Sequence, residues 1–89
     1  MASKKAKSSA QRLNSQVLLI FIENVRRRRA ALGLSQLQLS LKAQLEPNYV
    51  GHFENRRRKA PSLQTLSQLA LALETTEAKL LTKGGWREK

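Results

Sequence analysis

Apolar positions in the first third of the chain recur with a helical period. Leu18, Ile22, Val25, Arg29 and Leu32 follow the i, i+4, i+7 spacing of one helix face, and Phe21 widens the stripe. The pattern predicts a first helix from Ser15 or Gln16 to Ala31 or Leu32, stopped at Gly33, a residue suited to the left-handed conformation that ends helices. A strand is the rival reading of VLLIFI, but turn signals are missing on its C-terminal side. In the next segment, LSQLQLSLKA, local signals conflict. Leu37, Leu39 and Leu41 alternate as in a strand. Ser35 and Gln38, however, have the spacing of a capping box, and Leu34 and Leu39 that of a hydrophobic staple. Leucine also favours helix over strand, so a second helix is expected from Gln36 to about Ala43.

A break at Gln44, Leu45 and Glu46 leads to Pro47, which suits a first helical position. The third helix is expected from Pro47 to about Asn55, followed by the charged loop ENRRRKA. Ser62 caps a fourth helix striped with Leu63, Leu66, Leu69, Ala70 and Leu73. Thr76 caps a short fifth helix carrying Leu80 and Leu81. The expected fold is all-α, with five helices over residues 15–82. Residues 1–14 carry Lys4, Lys5, Lys7 and Arg12 without an apolar period and read as a flexible basic arm. Residues 83–89, opened by Gly84 and Gly85, read as a loose tail.

Composition narrows the function. Seventeen Lys and Arg against six Asp and Glu give a formal net charge of +11, which calls for a polyanionic partner. At 40% apolar residues the chain has enough material for a core. Aromatics are 4%, too few for a surface built on base stacking. With no Cys, one His and scattered acids, neither a catalytic centre nor a metal site is expected, and nothing calls for a cofactor. The longest apolar run, Val17 to Ile22, is too short to span a membrane or to form a signal-peptide core. A cytoplasmic binding module is the expectation.

Two short helices joined by a tight turn in a basic chain suggest a helix-turn-helix. At about 100° per residue, Asn48, Gly51, His52 and Asn55 share one side of the third helix, while Val50 and Phe53 point to the other. An uncharged, hydrogen-bonding face with an apolar back suits a DNA major groove. Asn48 can pair with adenine N6 and N7, and His52 can donate to guanine N7. Gly51 allows the helix backbone close to DNA, and Pro47 can meet a thymine methyl. Each also has an ordinary reading: Asn48 as a first-turn polar residue, His52 as an exposed side chain, Gly51 as a tolerated defect, Pro47 as helix geometry. The Tyr49 hydroxyl either reaches a phosphate or is partly buried. Arg56, Arg57, Arg58 and Lys59, directly after this helix, are placed for phosphates, with Asn55 at their head. Arg26, Arg27 and Arg28 read as a solvated face.

GLSQLQLSLKAQLEPNYVGHFENRRRKAPSLQTLSQLALAL resembles the phage-repressor-like (Xre/Cro-type) helix-turn-helix family. The resemblance covers about Val17 to Leu81. It is carried by Leu34-Ser35-Gln36, Leu39, Leu45, Val50, Phe53, Glu54 and the basic loop into Pro61-Ser62-Leu63. It implies that Gln36 holds a DNA phosphate and that Arg29 forms a structural ion pair with Glu54. The chain departs from the family at Ser40 and Gln44, where Ala and Gly are usual, at Glu77, where an apolar residue is common, and in a loop from Glu54 to Pro61 about one residue longer. The function expected is a sequence-specific double-stranded DNA-binding transcriptional regulator. It is expected to act as a homodimer, with Leu80, Leu81 and Trp86 as candidate dimer contacts. The rival is an antitoxin-type module that uses the same fold to bind a protein partner. RNA binding is disfavoured by the scarcity of aromatics.

Overall fold

The apolar stripe of the first helix lies on a longer element than its period marks out. In the structure, a computed structural model, the backbone is described for residues 2–55 and 60–87 and the side chains for 16–55 and 60–87. α1 spans Ala2–Ala31, so the segment expected as a flexible arm is helical from Ala2 onward. Periodicity detects a helix only through the face it buries. The sequence before Ser15 contains no Gly or Pro, and its three Ala and three Lys are good helix formers. Extending a helix already nucleated costs far less than starting one.

Four shorter helices follow: α2 (Gln36–Lys42), α3 (Tyr49–Glu54), α4 (Leu63–Ala72) and α5 (Glu77–Leu80). Among the described residues there is no strand. α3 starts two residues later than the sequence suggests. Pro47 is not its first residue but lies in a turn closed by the Tyr49 N–H on the Glu46 carbonyl at 2.9 Å. Asn48, at φ −92° and ψ 1°, fits the third position of a type I turn, and Pro47 the second, where its ring presets φ.

The caps follow their sequence signals. Ser35 and Gln38 form the expected capping box on α2, Ser62 accepts the Thr65 N–H at the start of α4, and Thr76 accepts the Lys79 N–H at the start of α5. Three helices end in the same two-bond motif. After α1, the Leu34 N–H donates to the Arg29 carbonyl and the Gly33 N–H to the Ala30 carbonyl. Leu45 and Gln44 repeat this after α2, and Thr75 and Glu74 after α4. Each motif needs one left-handed residue. Gly33 takes it at φ 71° without strain, whereas Gln44 at φ 61° and Glu74 at φ 58° do so with a Cβ.

The core joins Phe21, Ile22 and Val25 of α1 to Leu39 of α2, Val50 and Phe53 of α3, Leu66, Leu69 and Ala70 of α4, and Leu80 of α5. The rings of Phe21 and Phe53 meet edge to face at 5.1 Å between centroids. α2 and α3 pack on each other, and α1 lies against α3 and α5. Leu37 and Leu41 are about half exposed while Leu39 is fully buried, so the alternating leucines of α2 sit on a helix with only one of them in the core.

Two polar side chains of α1, one turn apart, hold the C-terminal ends of α4 and α5. The Asn24 amide is buried and donates to the carbonyls of Leu80 at 2.7 Å, Thr82 at 2.8 Å and Lys79 at 3.3 Å. Arg28, expected on a solvated face, is also buried. Its Nε donates to the Leu73 carbonyl at 2.9 Å and its guanidinium to the Glu74 carbonyl at 3.2 Å. A guanidinium at a helix C-terminus satisfies orphan carbonyls and complements the negative end of the helix dipole. Glu77, where the family resemblance implies an apolar side chain, accepts a hydrogen bond from Ser67 at 2.7 Å on the surface instead. α5 is seated through Leu80 and Asn24 and does not depend on position 77.

Candidate nucleic-acid interface

The first turn of α3 is capped from outside. Asn48 occupies its N-cap position, yet its side chain makes no capping hydrogen bond. The Ser40 hydroxyl takes that role from α2. It accepts the Val50 N–H at 3.0 Å while donating to the Gln36 carbonyl at 2.9 Å, fully buried between the two helices. Ser40 therefore locks the angle of the helix-turn-helix, and the Asn48 amide remains on the surface. Local spacing does not mark position 40 for this role, because the cross-helix bond exists only once the two helices pack.

Val50 and Phe53 are buried, and the Tyr49 ring is half-buried, stacked on Phe53 at 6.1 Å. With those three turned inward, Asn48 and Asn55 are exposed, and Gly51 and His52 lie half-exposed beside them on the outer side. The structure thus brings together the four residues that spacing placed on one face, with exposed Pro47 at their leading edge.

Glu54 is the hub behind this face. Its carboxylate accepts Arg29 Nε at 2.9 Å on one oxygen and an Arg29 terminal nitrogen at 3.0 Å on the other. Gln36 Nε2 adds a third bond at 2.9 Å. The remaining Arg29 nitrogen donates to the Leu34 carbonyl at 2.9 Å. The side chain of Glu54 is only 3% exposed and that of Arg29 16%, so this ion pair is largely out of water. It ties α1, the entry to α2 and the end of α3 together. Gly51 has a local reason as well: a Cβ there would lie 3.1 Å from Gln36 Oε1, so the glycine gives the amide room.

The loop cations Arg56, Arg57, Arg58 and Lys59 lie outside the described residues, as do the side chains of Lys4, Lys5, Lys7 and Arg12. Of the three candidate dimer contacts, Leu80 is closed to a partner: it is fully buried, because α5 presents it to the core below the Asn24 cap. Leu81 is 40% exposed and is the one available to a partner. Trp86 folds back on its own chain, half-buried, with the guanidinium groups of Arg27 and Arg87 each 5.4 Å from its ring centroid. That return depends on Gly85, where any Cβ would collide with the Lys79 carbonyl.

Among the described residues, no helix is long and apolar enough to cross a membrane. A helix-turn-helix family model matches residues 25–80, from the last two turns of α1 to the end of α5. Control protein C.SmaI of Serratia marcescens is 41% identical over 70 residues, which cover 79% of this chain and 82% of the relative. No solved structure matches the chain. With the packed α2–α3 pair, the Arg29–Glu54–Gln36 hub and a match spanning most of its length, the chain belongs to the phage-repressor-like (Xre/Cro-type) helix-turn-helix family of DNA-binding transcriptional regulators.

Proposed function

We propose that this chain is a sequence-specific regulator of transcription that binds double-stranded DNA as a homodimer, with α3 in the major groove of each half-site. The observation that carries the reading is the uncommitted Asn48 amide. An Asn at an N-cap ordinarily spends its side chain on the helix, but here Ser40 supplies the cap. Asn48 then reads adenine and His52 an acceptor such as guanine N7. Pro47 and Gly51 lie against the base edges. Gln36 uses one amide N–H on Glu54, and its second N–H serves a phosphate. Tyr49, Asn55 and the Arg56–Arg57–Arg58–Lys59 loop add further contacts to the DNA backbone. A relative named a control protein supports the regulatory role, and the proposed place of that role is the cytoplasm.

The homodimer is proposed through Leu81. It borders a groove of about 230 Å³ with Val17, Leu18, Phe21, Pro61 and Leu66, and Val17 is itself 44% exposed. Two copies on one face of the duplex place their reading helices about 34 Å apart. The test is a set of single-base substitutions in a preferred duplex. The parent should lose about 1–3 kcal/mol at each read base. Asn48→Ala should flatten the preference at one position per half-site and leave the others. If every position responds to Asn48→Ala alike, the assignment of Asn48 to a base is wrong. In sedimentation equilibrium, Leu81→Asp should shift the protein to monomer; an unchanged dimer would place the contact elsewhere.

A further inference from the structure

Arg26 lies one turn before Arg29 on the side of α1 that faces α3. It lines an open groove of about 550 Å³ together with Glu23, Arg29, Gln36, Glu54 and Asn55. The charges in this groove are unevenly matched. Glu54 is saturated by Arg29 and Gln36. Glu23 is taken by Arg27, whose Nε lies 3.0 Å from its carboxylate. Arg26 is exposed and has no carboxylate partner among the described residues. A guanidinium without a counter-ion therefore stands on the groove wall, with two amide side chains, Gln36 and Asn55, lining the same groove.

We propose that this groove receives a phosphate of the DNA backbone and that Arg26 is its cationic ligand. The inference rests on the DNA-binding reading above and adds to it a contact from α1, outside the helix-turn-helix itself. Both amides that line the groove belong to residues assigned to phosphates, one at the start of α2 and one at the end of α3. A strand passing from Gln36 to Asn55 therefore crosses in front of Arg26. The planar guanidinium fork matches phosphate oxygens in pairs. Arg27, its neighbour in sequence, cannot share the role, since it is paired with Glu23 and packed on Trp86. A run of four arginines on one helix thus divides its duties: Arg26 to DNA, Arg27 to Trp86, Arg28 to the end of α4 and Arg29 to Glu54.

The test compares the full-length parent with Arg26→Gln, Arg26→Lys and Arg27→Gln. Each is titrated against the parent's preferred duplex and an unrelated duplex of equal length over a range of salt concentrations. Glutamine keeps the helix propensity and an unbranched polar side chain while removing the charge, so folding is preserved. Arg26→Gln should lower the magnitude of the slope of log K against log salt by about 0.9 on both duplexes, while Arg26→Lys and Arg27→Gln keep the parent's slope. A parental slope in Arg26→Gln on duplexes that the parent binds overturns this inference and leaves the wider reading standing. An equal drop in Arg27→Gln also overturns it, because the effect would then be one of net charge alone. A parent that binds neither duplex overturns the DNA-binding reading and this inference with it.

Discussion

Glu54 decides how α3 is held. Removing the guanidinium that pairs with a buried carboxylate leaves a charge in a poorly solvated place, which costs more than the pair contributes when intact. Arg29→Ala should therefore lower stability by about 3 kcal/mol in urea unfolding. If stability is unchanged while DNA affinity falls, Arg29 is a DNA ligand and its pairing role is wrong. Gln44 gives a prediction of opposite sign. It holds φ 61° at the end of α2, a conformation that burdens any residue with a Cβ. Gln44→Gly should raise stability by about 1 kcal/mol, and the melting temperature by about 4–8 °C for a domain of this size. No gain would mean that the Gln44 side chain makes up for its strain elsewhere.

At the level of elements, local signals in the sequence were readable and distant ones were not. The capping box at Ser35, the caps at Ser62 and Thr76 and the stop at Gly33 each involve residues a few positions apart, so spacing alone reveals them. The outward face of α3 was legible for the same reason. Asn24 and Arg28 bond to carbonyls 45 or more positions away, and their role exists only once α4 and α5 have docked. An arginine in a run of four reads as surface until its partner is known. Pro47 points to a start two residues too early because proline suits both a first helical position and the second position of a type I turn. Asn24→Ala should expose the end of α5 and release the segment that carries Trp86, cost about 1–3 kcal/mol, and shift Trp86 emission to the red. Unchanged emission would show that the tail is held without α5. Glu77 bears on the acid limb. The Ser67 hydroxyl, and then the Glu77 backbone N–H, hold its carboxyl below the usual range. A depressed carboxyl contributes stability that is present at neutral pH and is lost as pH falls through the folded value. Ser67→Ala should lower stability slightly at pH 7, the small size expected for an exposed group, and leave it unchanged at the acid end, so that the limb becomes shallower.

Over the whole molecule, the +11 charge is divided into separate tasks. Arg29 is committed to Glu54, Arg28 to helix carbonyls and Arg27 to Glu23 and Trp86. On the proposed reading, affinity comes from Arg26 and the loop after α3, and specificity from the uncharged face of α3. Arg57→Ala should weaken binding to all duplexes alike and reduce the salt slope by about one phosphate's worth. The most direct test of the central claim is selection of binding sites from random duplex DNA at about 150 mM salt. The account predicts a short two-fold-symmetric site, with half-sites one helical turn apart and at least one base in each that depends on Asn48. Binding that stays blind to sequence under those conditions would contradict it.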